Sequence, residues 1–238
     1  MGNEAGEWIM HGLDWDDPNC IHTVDEAIAY INRVGFLPLF QNDIPGFSLE
    51  ERTAPEFWWS GNADKDPWEW REVIARSGEL AYGKFFDKKA GFISKEWLPY
   101  FVNFRRDGYD FDSLWEDEKA SYKQKKIMDL FLGEGAKDEL YSNEIKANAG
   151  YGKDGLKGFE GVLTGLQMQL FLCCRDFRQR KNKKGQAYGW PIAVYATPEY
   201  IFGKNLVTAA YKEAPKESGE RIADAIRKQF GANGTKEK

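Results

Sequence analysis

Six cations crowd the stretch 173–190: Arg175, Arg178, Arg180, Lys181, Lys183 and Lys184, with Asp176 the single acid among them. That leaves +5 in one short segment of a chain whose net charge is −5. Such a density suits phosphate contacts, because binding to a polyanion follows local charge rather than the overall sum. It also suits a solvated surface loop. The first twenty residues are the opposite, holding Glu4, Glu7, Asp14, Asp16 and Asp17 with no Lys or Arg. Asp110 and Asp112 alternate with Tyr109 and Phe111, and on a strand they would face one side, where paired carboxylates can hold Mg²⁺. Together with Glu116, Asp117 and Glu118 they equally suit a helix N-terminus or a solvated face. The glycines of 150–155 lack P-loop spacing and fit an open turn. Cys173 and Cys174 read as neighbours in core and surface rather than redox partners, and no CxxC occurs. With only His11 and His22, a His-based metal site or a Ser-His-Asp triad is not supported. No metal and no cofactor is called for.

The chain has 238 residues, 42% of them hydrophobic, enough for one domain or two small ones. Mean hydropathy is −0.62 and no apolar run approaches the roughly 20 residues of a membrane span. A basic segment followed by an apolar run is missing from the N-terminus, which argues against a secretory signal. Three cysteines without a disulfide framework favour a reducing cytoplasm. The expectation is a soluble, cytoplasmic protein with no membrane contact. Aromatic residues make up 15%, including nine Trp, suiting either a core or a stacking surface.

Several local signals place the elements. Thr23 and Glu26 have capping-box spacing, and Val24, Ala27, Ile28, Ile31 and Val34 follow at helical intervals up to Gly35. The stretch 36–59 reads mostly as loop. Asp66, Pro67 and Glu69 open a helix with Trp70, Val73 and Ile74 on its apolar stripe, ended by Gly78. Two aromatic-rich runs, 80–86 and 92–97, flank a turn at 87–91 and predict a hairpin. The second half repeats the pattern: a helix at 125–132, a short helix from Ser142 to Gly150, and a helix carrying Phe159, Val162, Leu163, Leu166 and Leu170. A second hairpin follows, with strands 171–180 and 187–196 around a turn at 181–185. Trp190, Ile192 and Val194 alternate as a half-buried strand requires, and Pro191 should sit at an edge or bulge. A last helix is expected at 221–230, with 231–238 frayed.

Three helices and then a hairpin is the order of a winged helix. The fold expected is therefore α+β: tandem winged-helix units, each a three-helix bundle plus a β-hairpin wing, with a C-terminal helix packed across them. The units span 22–105 and 115–204, after an acidic arm at 1–21 and before a helix and tail at 205–238. The most basic turn falls on the second wing, while Lys88 and Lys89 lie on the first. Double-stranded DNA is the partner this placement implies.

Val34-Gly35-Phe36-Leu37-Pro38-Leu39-Phe40 looks like the early "LGF" strand of the AlkZ-type bacterial DNA glycosylases. The segments from Ile74-Ala75-Arg76 through Trp97-Leu98-Pro99-Tyr100-Phe101 resemble the first helix–wing unit of that family. Leu166-Gln167-Met168-Gln169, Tyr188-Gly189-Trp190 and Tyr195-Ala196-Thr197-Pro198-Glu199 resemble the shorter AlkZ-related group. The resemblance, from about 34 to 202, implies tandem winged helices wrapped round a duplex and a relation to excision of alkylated bases. It also implies a catalytic Gln-x-Gln or Gln-x-Asp pair, but the matching positions are Pro38 and Phe40, which cannot polarise water. Gln41 and Asp43 keep the spacing one step on, and in an extended segment they would face one side. Gln167 and Gln169 spell the pair on a helix, where residues two apart point away from each other. The function expected is a DNA-binding member of this group, acting in repair with its catalytic pair missing or shifted. The alternatives are an active alkylated-base glycosylase using Gln41 and Asp43, with Trp58 and Trp59 to stack on an everted base, or a non-enzymatic regulator or protein-interaction domain.

Overall fold

A computed structural model describes residues 9–181 and 184–231. Helix α1 (Val24–Val34) starts where the Thr23 hydroxyl accepts from the Glu26 N–H at 3.2 Å. It buries Ala27, Ile31 and Val34, and a fully buried Ile contributes about 1.5–3 kcal/mol. Gly35, at φ 94°, closes the helix with its N–H on Ile31 O. A Cβ there would stand 2.4 Å from Trp97 Nε1, so only glycine fits.

The chain then forms β1 (Phe36–Pro38), a strand where mostly loop was expected. All three residues are buried, so there is no alternation to read. Helix α2 (Pro67–Ser77) is capped by Asp66, which accepts from Trp68 N at 2.9 Å, and ends at left-handed Gly78. Strands β2 (Leu80–Phe86) and β3 (Lys89–Ser94) are joined by Asp87 and Lys88 alone. Both have positive φ, 44° and 65°, as a two-residue turn matching the twist of the strands needs. Lys89 is thus the first residue of β3, not part of a longer turn. The sheet order is β1-β3-β2, all antiparallel.

Helices α3 (Leu98–Arg106) and α4 (Phe111–Glu116) lead to the second half. Asp110 caps α4, accepting from Ser113 N at 2.8 Å, which holds its carboxyl below the usual range. The strand face that would pair it with Asp112 is not formed. The described residues contain no His, Cys, Asp and Glu cluster able to hold a metal ion.

The second half runs α5 (Tyr122–Leu132), β4 (Leu140–Tyr141), α6 (Ser142–Asn148), α7 (Phe159–Met168), β5 (Cys173–Lys181) and β6 (Ala187–Ala196). Its sheet, ordered β4-β6-β5, repeats the first. Short helices α8 (Pro198–Phe202) and α9 (Lys204–Val207) precede α10 (Pro215–Phe230). Among the described residues the fold is mixed α/β, with two small antiparallel sheets.

The halves interlock reciprocally: α2 packs on β5, α7 packs on β2, and β2 meets β5. One apolar core runs through both. Covered by its own half and by α2 and β2, strand β5 buries both Cys173 and Cys174, so neither is a surface residue. Burial pushes both thiols up, that of Cys174 to about 12.

Helix α10 does not cross the two units. It packs on α3, with Gln229 Nε2 donating to Val34 O at 2.9 Å and the Phe230 ring 4.8 Å from Phe47. It begins at Pro215, six residues before the expected 221, because proline suits the first helical turn. The described part of the acidic arm also lies on the first half. His11 N–H donates to Glu50 at 3.0 Å, Leu13 N–H to Thr53 O, and Trp15 packs between His22 and Phe57. None of the helices among the described residues is long and apolar enough to cross a membrane.

Candidate nucleic-acid interface

The hairpin of β5 and β6 is rooted by ion pairs. Arg175 donates to the carbonyls of Ala75 (2.9 Å) and Arg76 in the last turn of α2, where a cation also meets the negative end of the helix dipole. Asp176 accepts from Arg76 Nε at 2.9 Å and Arg178 Nε at 2.7 Å. Arg178 also donates to Glu139, whose other oxygen lies 3.7 Å from Arg175. Arg175 and Arg178 are therefore both engaged by partners within the protein, with Arg178 still partly exposed. The reason is nonlocal: Glu139 and the end of α2 supply partners that a count of charges along the strand does not register.

Burial opposes the charge on Asp176, but the hydrogen bonds from Arg178 and Arg76 outweigh it and hold the carboxyl below its usual range. A depressed folded-state value contributes stability above the unfolded value of about 3.9, lost as pH falls through the folded value. Asp176→Asn is thus expected to lower the urea midpoint at pH 6. The gap to the unaltered protein should close below about pH 4; a gap independent of pH would contradict the clamp.

Further out, Arg180 and Lys184 are exposed. Lys183 and the side chain of Lys181 lie outside the described residues. Between Arg178↔Ile192 and Arg180↔Tyr188, two steps on β5 are matched by four on β6. Pro191 sits in that irregularity, as expected. The same irregularity breaks the alternation: Ile192 and Val194 are buried, but Trp190 is 87% exposed. Trp190 thus faces solvent rather than the core, beside Tyr188, itself 50% exposed. An open groove of about 770 Å³ at the hairpin's foot is lined by Arg76, Tyr141, Arg178, Arg180 and Tyr188. On the first hairpin, Lys88 and Lys89 are exposed.

Neither glutamine pair stands on a strand face. Strand β1 ends at Pro38, so Gln41 and Asp43 lie on an irregular, exposed bend, where strand alternation does not apply. The Gln41 N–H donates to Glu50 at 2.9 Å. Pro38 is buried, and Phe40 packs against Trp58 and Trp68 with ring centroids 5.4 and 6.3 Å away. Gln167 is buried, accepting from Lys84 N at 3.1 Å and donating to Leu163 O at 3.3 Å. Gln169 turns away to accept from Gln124 Nε2 at 2.8 Å. Trp58 is a core residue donating to Thr53 Oγ1 at 3.0 Å, so it offers no stacking surface; Trp59 is 48% exposed.

Sequence reasoning missed a cavity of about 370 Å³ where the halves meet, walled by Phe40, Trp68, Tyr82, Phe177 and Tyr195. Arg71 enters this wall, its guanidinium 3.8 Å from the Trp68 ring centroid and 4.3 Å from that of Phe177. The one local signal was Arg71 itself, one residue after Trp70 and three before Ile74, inside the apolar stripe of α2.

Among family models, one described as AlkZ related matches residues 21–237. No curated protein and no solved structure matches the chain.

Proposed function

The chain belongs to the AlkZ-related family, and from that premise we propose that it binds duplex DNA through its second hairpin, as a tandem winged-helix protein with units near 22–105 and 115–204. Support for the architecture comes from the order of helix, short strand, helix and hairpin in both halves, with the short strand pairing to the second hairpin strand in both sheets. Among the described residues the first half has only two 3₁₀ turns where the second has α6, so its expected three-helix bundle lacks a middle α-helix. The observation that carries the DNA reading is the outer part of β5–β6. Arg180, Lys184, Tyr188 and Trp190 are exposed there, while the root is tied down by Arg175, Asp176 and Arg178. Cations for phosphates and an aromatic for base edges or faces are what such a wing needs. The family's name points to DNA repair, and three free cysteines fit a reducing cytoplasm.

The test is duplex affinity across a salt series. Arg180→Ala with Lys184→Ala is expected to weaken binding to all sequences alike. It should also reduce the salt slope by about 0.9 for each phosphate that is no longer neutralised. Unchanged affinity in that pair would remove the hairpin from the interface.

The protein acts here as a binder rather than as an efficient glycosylase. The positions where the family's pair would stand are Pro38, which has no N–H, and Phe40, packed on Trp58 and Trp68. Missing such groups commonly lowers rates about 10²–10⁴-fold. Release of 7-methylguanine from methylated duplex is expected to stay at the uncatalysed level. Release at enzyme rates that Gln41→Ala abolishes would restore the glycosylase reading.

A further inference from the structure

We infer that the cavity between the two halves is a binding site for a small, planar aromatic ligand bearing an anionic group. Its volume of about 370 Å³ lies in the range of small-molecule sites. The walls are aromatic on several sides, from Phe40 and Trp68 in the first half and Phe177 and Tyr195 in the second. The Gln167 amide at the wall is already engaged by Lys84 N and Leu163 O, so the interior favours an apolar ring system.

Arg71 is the exception in that wall. Its side chain is 8% exposed, and Nη2 reaches Glu72 at 3.1 Å, but Nε has no hydrogen-bond partner. A buried guanidinium with an unused donor, close to the rings of Trp68 and Phe177, suits an acceptor on a ring that stacks beside it. Lys84 on β2 and Lys89 on β3 also line the cavity and are exposed, which places positive charge at its rim. Rings inside and cations at the rim select an aromatic acid over a neutral aromatic.

The assignment rests on the cavity alone and not on the hairpin proposed to bind DNA. The probes are 1-anilinonaphthalene-8-sulfonate and its neutral analogue N-phenyl-1-naphthylamine, titrated into the full chain. Dye fluorescence and the methyl resonances of Leu39, Ala90 and Ala193 report binding. The sulfonate is expected to bind one to one, shift those methyls, and bind about tenfold more tightly than the neutral dye, as one charge-assisted hydrogen bond supplies. Lys84→Gln with Lys89→Gln, both at exposed positions, should erase that preference. Ala193→Phe, which fills the cavity, should abolish binding. Equal affinity for the two dyes, a preference that survives loss of both lysines, or shifts confined to other methyls would overturn the proposal. Displacement of the dye by duplex DNA would also overturn it, giving the cavity to a nucleobase rather than a free ligand.

Discussion

Arg106→Leu is expected to destabilise the protein by about 3 kcal/mol, the lower end of the loss when one partner of a buried ion pair is removed. For a chain of this size that is a fall in melting temperature of about 6–12 °C. Arg106 closes α3, and its side chain is 3% exposed. It donates to Glu199 on α8 and to the carbonyl of Leu170, and its guanidinium lies 4.6 Å from the Phe171 ring centroid. Leu170 has φ 60°, a left-handed conformation unfavourable for leucine, at the turn between α7 and β5. One guanidinium thus holds a strained turn of the second half from a helix of the first. Leucine would leave the Leu170 carbonyl unpaired and Glu199 without its cation. The figure stays at the lower end because Glu199 is 30% exposed and can be hydrated. Arg106→Lys should recover little, since an ammonium cannot reproduce the planar fork that reaches both acceptors. Thermal and urea unfolding measure the effect; a loss below about 1 kcal/mol would mean that the turn is held by packing alone.

Trp190→Ala is expected to weaken DNA binding by about tenfold while leaving stability within about 0.5 kcal/mol. The residue is 87% exposed, so the fold loses little packing with it. Base–aromatic contact is worth about 1–3 kcal/mol, or about 5- to 150-fold in affinity. No charge is removed, so the salt slope should stay the same, in contrast to the Arg180 and Lys184 substitutions. Trp190→Phe should keep most of the affinity. Binding within about twofold of the unaltered protein would assign the interface to phosphate contacts alone. A changed slope would place a cation, not the indole, as the affected group.

How legible the molecule was depended on the range of the interaction involved. Thr23 with Glu26 and Asp66 with Pro67 act within three or four residues, and the helices they open stand where their spacing places them. The two hairpins were legible for the same reason. Periodicity did not show the short strand β1, because a buried three-residue strand has no period and exists only by pairing with β3; the family resemblance alone pointed to it. The sequence 109–112 suits a strand or a helix N-terminus, and the Asp110 cap on Ser113 makes it the helix start.

The sequence by itself determined the local grammar: capped helices, aromatic hairpins, and a basic stretch in the second of them. It also determined that the side chains of Pro38 and Phe40 carry no hydrogen-bonding atom. Tertiary structure alone decided how Arg175 and Arg178 are engaged, because the carbonyls of α2 reach Arg175 across the interlocked halves and Glu139 reaches both arginines from outside the hairpin. It decided that the bulge near Pro191 turns Trp190 to solvent, and that Phe40, Arg71, Phe177 and Tyr195 enclose one cavity. Caps and turns are satisfied by neighbours a few bonds away and so are written in residue order. Ion pairs and cavities depend on which surfaces the shared core brings together, and spacing along the chain carries no record of that.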